Sequence, residues 1–246
     1  MSQKTPKAYS HVSNFTDYMQ IVYQLARENR NRMKVLDMPA GNGLLSEKLR
    51  SEGHEVISAD INKERKDYIY VDMEAKLPFQ DNEFDLIICL EGIEHVVNPT
   101  KLISELCRIC KTNGRIIIST PNIQNCYSRF VFLFTGHFFQ FRAENCNFQS
   151  KENKIDRGHI SPLAYFQLRY LFKEYGLTLK KVSGDKIKRK ILMPLYLIII
   201  LVGYIFESIL FFKSKRKKEF SLIKKDMFSK PVLFSRSLIM VFEKEA

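Results

Sequence analysis

Val35-Leu36-Asp37-Met38-Pro39-Ala40-Gly41-Asn42-Gly43 is the stretch that decides the fold. Val35 and Leu36 end a short apolar run of the kind a buried parallel strand uses, and Asp37 stands at its carboxyl end. Two glycines follow, and Leu44-Leu45-Ser46-Glu47-Lys48-Leu49 reads as a helix. Strand, glycine turn and helix in that order open a parallel α/β sheet whose ligands gather at the strands' carboxyl ends. Such a turn needs glycine because a side chain would hold a ligand away from the backbone. The dinucleotide spacing G-x-G-x-x-G is not met, since Ser46 stands where the third glycine would be.

Outward from this turn the pattern repeats. His11–Arg32 reads as a helix that covers one sheet face, with Phe15, Tyr18, Ile21, Val22 and Leu25 at helical spacing. Strands are predicted at about 34–37, 54–60, 69–73, 84–90 and 115–122. A helix over 100–111 and a turn at Thr112-Asn113-Gly114 precede the fifth. Strands alternating with helices predict right-handed crossovers and a parallel sheet. Asp37, Asp60, Asp72 and Glu91 all fall at strand carboxyl ends. Tyr127–Phe141 is dense in aromatics and reads either as a lid over the site or as core. Ser161 and Pro162 predict the start of a helix running to about Tyr175, capped by Gly176. A sixth strand follows at 177–183, and a last one is predicted at 233–243.

A chain of 246 residues with 45% hydrophobic content can bury one sizeable core, or one core plus an appendage. The polar start, Met1–Lys7, lacks the apolar stretch of a secretory signal. Cys89, Cys107, Cys110, Cys126 and Cys146 show no framework spacing, so reduced thiols in a cytosolic compartment are expected. Cys107-x-x-Cys110 has no second pair and reads as helix packing. The net charge of +12 is uneven. Residues 180–190 hold six Lys/Arg against one Asp, and residues 213–230 hold eight against two acids. The rest is nearly neutral, which argues against nucleic acid as a partner because phosphate contacts need basic charge around the site.

The D-x-P-x-G-x-G turn resembles motif I of the class I S-adenosylmethionine (SAM)-dependent methyltransferases. Asp60 and Asp72 resemble the acids of the next motifs, and the order and spacing continue through Ser119-Thr120-Pro121-Asn122. The resemblance covers about residues 30–122. It implies a Rossmann-like, seven-stranded, mostly parallel sheet, with the last strand antiparallel between the fifth and sixth. It also implies SAM as cofactor, held by Asp37, Pro39, Ala40, Gly41, Gly43, Asp60, Ile61, Asp72, Met73 and Leu90, with Asp60 on the ribose and Asp72 on the adenine amino group.

Glu91-x-x-Glu94-His95 is the candidate catalytic apparatus. Two carboxylates and an imidazole suit a divalent cation (Mg²⁺, Mn²⁺ or Zn²⁺), which would lower a hydroxyl's pKa. Alternatively His95 alone serves as general base. The E-x-x-E-H pattern resembles the ubiquinone-biosynthesis O-methyltransferases, within the methyltransferase type 11 and 23 group. It also resembles the small-RNA 2′-O-methyltransferases, where a later histidine completes a metal site and His159 is the matching candidate. Gly158-His159-Ile160 and the Ser119–Asn122 ending further resemble methyltransferases of surface-polysaccharide clusters.

Ile191–Phe212 is long and apolar enough to span a bilayer. A single crossing would strand the last β-strand on the wrong side of the membrane, and both flanks are basic. The expectation is therefore an in-plane or re-entrant anchor, bent at Pro194 or Gly203, with Lys186–Lys190 and Lys213–Lys218 on anionic headgroups and Glu207 disfavouring mid-bilayer. The expected division is a methyltransferase domain over 1–185, a basic-flanked anchor over 186–230 and the last strand within 231–246. The functional expectation is an O-methyltransferase on the cytoplasmic, inner face of a membrane. Its acceptor would be a membrane-associated small molecule or a lipid-linked glycan. The alternatives are an RNA 2′-O-methyltransferase and a non-catalytic, membrane-bound SAM-binding partner protein.

Overall fold

The computed structural model describes residues 14–28, 31–62, 65–142, 158–187, 189–213 and 217–245. In chain order the elements are α1 Asp17–Ala26, β1 Lys34–Asp37, α2 Leu44–Arg50, β2 Glu55–Asp60, β3 Ile69–Tyr70 and β4 Phe84–Leu90, followed by α3 Pro99–Ile109 and β5 Cys110–Pro121. Then come α4 Cys126–Thr135, α5 Tyr165–Glu174, β6 Leu177–Gly184, α6 Met193–Lys213, α7 Lys217–Met227, α8 Lys230–Phe234 and β7 Ser237–Lys244. One sheet carries seven strands in the order β3-β2-β1-β4-β5-β7-β6. β1 to β5 pair in parallel, and β7 runs antiparallel between β5 and β6.

Alternation along β4 feeds two cores. Ile87 and Cys89 pack with α3 and α5 through Leu102, Leu106, Leu168 and Phe172. Leu86, Ile88 and Leu90 pack with α1 and α2 through Val22, Leu25, Leu45 and Leu49. A strand buried on both faces must be apolar at nearly every position, which is why β4 reads as a continuous run.

Several boundaries differ from the sequence expectation, each for a local reason. The first helix is described from Asp17, where the Thr16 side chain caps it, to Ala26; residues 11–13 and 29–30 of the expected span lie outside the described residues. The third strand shrinks to two residues because Asp72 turns the chain, accepting a hydrogen bond from the Glu74 N–H at 2.9 Å. The turn expected at 112–114 is a bulge in β5. Phe84 pairs with Cys110 and Leu86 with Arg115, while Asn113 takes φ +61°. Ser161 is not a helix cap: its hydroxyl donates to the Val96 carbonyl at 2.7 Å, and α5 starts at Tyr165, whose N–H is taken by the Gln124 side chain. The last strand begins at Ser237, because Lys230–Phe234 form a short helix with Ser229 before it and Pro231 in its first turn.

One helix of the described residues, α6, is long and apolar enough to cross a membrane, and it precedes the last strand. The bends expected at Pro194 and Gly203 are not there. Pro194 lies in the first turn, where a missing N–H costs nothing, and α6 continues unbroken to Lys213. Tyr204 meets Phe228 at 5.3 Å, and the Lys224 Nζ donates to the Ser208 hydroxyl at 2.7 Å, so α7 returns antiparallel along α6. Gly203 is where the two helices come close, with Phe228 above it. Glu207 is not in the outer apolar face. It lies half-buried on the stripe that faces α4, where Arg129 feels its charge.

Asn122, 4% exposed, fastens this return to the sheet. Its amide donates to the carbonyls of Pro231, Val232 and Ser235 at 3.1, 2.9 and 3.1 Å, and its N–H to the Arg236 carbonyl at 2.8 Å. Asn122→Ala leaves buried carbonyls without donors. It should lower the free energy of unfolding by about 2–4 kcal/mol, measured by urea denaturation in mild detergent.

Candidate active site

The glycine turn is built by two left-handed residues, Gly41 at φ +53° and Gly43 at φ +77°. Gly43 starts α2, and a Cβ there would collide with the Tyr68 hydroxyl. Behind the turn, Ser46 replaces the missing third glycine with a hydrogen bond. Its hydroxyl donates to Asp37 Oδ2 at 2.6 Å; Ser58 donates to Ser46 at 2.8 Å, and Arg50 to Ser58 at 2.6 Å. Asp37 is 2% exposed, and burial pushes its carboxyl up to about 7, opposed by the Ser46 bond.

Asp60 closes the turn from the next strand. Its carboxylate accepts from the Gly41 N–H and the Asn62 N–H, each at 2.9 Å. It lines an open cleft of about 450 Å³ together with Pro39, Ile61, Asp72, Met73 and His95. Of the residues expected to hold a cofactor, these five besides His95 share the cleft. Asp37, Ala40, Gly41, Gly43 and Leu90 form the floor and turn behind it. Met38, Val71, Glu74 and Val96 also line it and gave no sequence signal. Arg65 and Tyr68 were missed too: Arg65 donates to the Asn42 carbonyl at 3.2 Å, and the Tyr68 hydroxyl to that of Gly41 at 3.4 Å.

The second turn, Glu91–His95, packs directly on the first. A Cβ on Gly92 would lie 2.5 Å from Pro39 Cδ, so only glycine lets the two turns touch. Glu91 takes φ +46° and is tied away from the cleft; Ser119 donates to its carboxylate at 2.8 Å, and Ser237 also bonds it. Glu94 is fully buried, its carboxylate beside the Thr120 side chain and 4.0 Å from His95 Nε2. Burial, and then the Glu91 charge, raise its pKa well above the carboxylate range. The Glu94 carbonyl accepts from the N–H groups of Ile160 and Ser161, both at 3.0 Å, which brings His159 to the turn. The His95 and His159 rings meet edge to face at 4.9 Å, and ligating atoms of Glu94, His95 and His159 all lie within 4.8 Å of one another. Glu91 is not part of that cluster. Tyr18 of α1 feels the charges of Glu91, Arg236 and Glu94, so α1 both packs and borders this region.

The aromatic segment divides. Phe141 packs on His159 at 5.5 Å, whereas Phe132, Leu133 and Phe134 of α4 are exposed beside α6. Cys107 and Cys110 are free and buried, with thiols pushed up to about 12 by burial; Cys146 lies outside the described residues.

Residues 11–182 match the family model described as a methyltransferase domain. The chain belongs to this methyltransferase family. Among its relatives, the ubiquinone biosynthesis O-methyltransferase of Photobacterium profundum is 30% identical over 103 residues, which are 36% of this chain and 44% of that protein. The demethylmenaquinone methyltransferase of Clavibacter sepedonicus is 33% identical over 106 residues, 37% of this chain and 43% of that protein. The matches span less than half the length of these curated relatives. A SAM-dependent methyltransferase of Archaeoglobus fulgidus has a TM-score of 0.55 at 17% identity, covering 92% of this chain and 94% of its own. The 1,6-didemethyltoxoflavin-N1-methyltransferase of Burkholderia thailandensis, solved with 1,6-didemethyltoxoflavin and S-adenosylhomocysteine, has a TM-score of 0.53 at 11% identity, covering 93% and 78%. The fold of this methyltransferase chain is theirs, and SAM is the cofactor of the family.

Asp37 supplies a pH test of the turn. Its pKa of about 7 lies above the exposed value of 3.8, so between these the folded chain holds a proton that the unfolded chain releases. This group's stabilisation is complete below about pH 4 and is lost as pH rises through about 7. Asp37→Asn stays neutral throughout. Wild-type stability should therefore fall relative to this variant by roughly 3–4 kcal/mol between pH 4 and pH 8, measured by paired denaturation curves.

Proposed function

We propose that the chain is a SAM-dependent O-methyltransferase working on an acceptor held at a membrane surface. The observation that carries this reading is a single cleft lined by Asp60, Ile61, Asp72, Met73 and His95, which sets an imidazole beside the cofactor groups. Bound SAM would supply a methyl on a positively charged sulfur, released as a neutral thioether. Asp60 would accept from the ribose hydroxyls and Asp72 from the adenine amino group. The glycine turn would lie against the amino-acid end, which has no phosphate to bind. His95 would take the acceptor hydroxyl's proton as the oxygen forms its bond to the methyl carbon. Asp60→Ala should weaken SAM binding by about 1–3 kcal/mol; unchanged affinity by calorimetry in a folded variant would remove Asp60 from the site.

The buried Glu94 carboxylate, clustered with His95 and His159, favours a second reading of the same apparatus. Glu94, His95 and His159 offer one oxygen and two imidazoles, a set that suits Zn²⁺ or Mn²⁺ better than Mg²⁺, which prefers oxygen. Such an ion would lower the pKa of the acceptor hydroxyl. Glu91, tied to Ser119, would take no part. Under this reading EDTA abolishes activity and Mn²⁺ or Zn²⁺ restores it. Full activity in EDTA leaves His95 as the base.

The same proposal places the chain on the cytoplasmic face of a membrane, lying in the plane of the surface. The outer face of α6 exposes Leu197, Ile198, Leu201, Val202, Ile205 and Phe206, and the window Lys190–Leu210 has a mean hydropathy of 2.1. α7 is too charged to enter lipid, and it covers the opposite side of α6. Exposed Phe132, Leu133 and Phe134 of α4 extend the apolar surface. The protein should pellet with phosphatidylglycerol vesicles and less with phosphatidylcholine ones. Leu201→Glu with Phe206→Glu should release it, with SAM binding kept.

A further inference from the structure

A second pocket, open to solvent, lies at the same edge of the sheet as the cofactor cleft. Asn125 follows β5, Arg189 follows β6, and Arg236 precedes the antiparallel β7. All three therefore lie over the carboxyl ends of the parallel strands. The cofactor cleft sits over β1, β2 and β3. Between the two cavities comes the end of β4, with Glu91.

The walls of this cavity select for an anion joined to an apolar body. The Arg189 guanidinium stacks over Tyr127 at 3.5 Å and near Phe139 at 4.5 Å. Its backbone holds φ +57°, an uncommon conformation for a residue with a side chain. Stacking occupies the face of a guanidinium and leaves its N–H edge for oxygen acceptors. Arg236 supplies a second guanidinium, close enough to Glu91 to favour that carboxylate's charged form. Among the described residues, neither arginine forms an ion pair. Tyr196 adds an independent sign of a ligand: it is 2% exposed, lines the cavity, and its hydroxyl has no hydrogen-bond partner. A buried hydroxyl left unbonded costs free energy that an oxyanion would restore. Tyr196 is also in the first turn of α6, so the exposed apolar face of that helix begins one residue beyond the cavity.

We propose that this cavity binds the phosphate or diphosphate of a lipid-anchored acceptor. Arg189 and Arg236 hold its oxygens, Tyr196 donates a hydrogen bond, and the lipid tail leaves along α6 into the bilayer. The hydroxyl-bearing part of the acceptor then extends past Glu91 toward His95. This last statement rests on the methyltransferase reading; the binding of the anion does not.

The test is equilibrium dialysis of radiolabelled farnesyl diphosphate against the full chain in detergent, with farnesol as the uncharged control and SAM binding measured on the same samples. The wild type should bind farnesyl diphosphate at least tenfold more tightly than farnesol. Arg189→Gln and Arg236→Gln should each weaken it at least tenfold, with SAM affinity unchanged. Tyr196→Phe, which removes only the hydroxyl and keeps the packing, should weaken it several-fold. Equal affinity for diphosphate and farnesol, or variants that bind like the wild type, would overturn the assignment. So would arginine variants that lose phosphatidylglycerol vesicles while keeping farnesyl diphosphate, because the arginines would then read bulk headgroups. Binding of the diphosphate by a protein unable to bind SAM would support the cavity and count only against the methyltransferase reading.

Discussion

β7 has to lie between β5 and β6, hydrogen-bonded antiparallel to both, and the C-terminal third of the molecule follows from that requirement. The strand completes the sheet with a row of buried side chains from Leu238 to Phe242. Whatever stands between β6 and β7 must leave the sheet and come back to the same edge. The apolar helix α6, 21 residues long, stands in that interval. The return along α7 and α8, fastened by the buried Asn122 amide, brings the chain back to the sheet and leaves the exposed apolar face of α6 beside the candidate active-site edge. The candidate active site and the exposed apolar face of α6 thus share one end of one sheet.

The site itself depends on close contact between two turns. Gly92 against Pro39 sets the Glu91–His95 turn on the glycine turn, so Asp60, Asp72 and His95 line the same cleft. The two carboxylates sit in different surroundings. Asp60 is satisfied by two backbone N–H groups, whereas burial and the nearby Glu91 charge hold Glu94 well above the usual carboxylate range. Glu91 is held by Ser119 of β5 and Ser237 of β7, between the cleft and the second cavity.

Much of this was legible because it is local. Val35 to Gly43 carries strand, turn and helix start in nine residues, and Asp60 and Asp72 fall at strand ends by simple alternation. The last strand was legible as an apolar run, and its antiparallel place between β5 and β6 came from the resemblance to the methyltransferase fold. Features that depend on long-range partners were not. Ser161 reads as a cap until Val96 takes its hydroxyl, and Glu207 reads as a charge in the apolar face until α4 brings Arg129 opposite it. Ser46 was noticed only as a missing glycine, although its bond to Asp37 is what the helix start needs. The cavity at Arg189 is assembled from four separate segments, and no spacing in the sequence announces it.

Transfer of the methyl group to a membrane-borne hydroxyl is the central claim, and one labelling experiment addresses it directly. Purified protein is incubated with detergent-solubilised membranes of the host and SAM radiolabelled on its methyl group, and the products are partitioned between organic and aqueous phases. The account predicts label in the organic, lipid fraction, stable to alkali as an ether is, and lost with heat-inactivated protein. Label confined to RNA, or no transfer to any fraction by a protein that binds SAM, would contradict it.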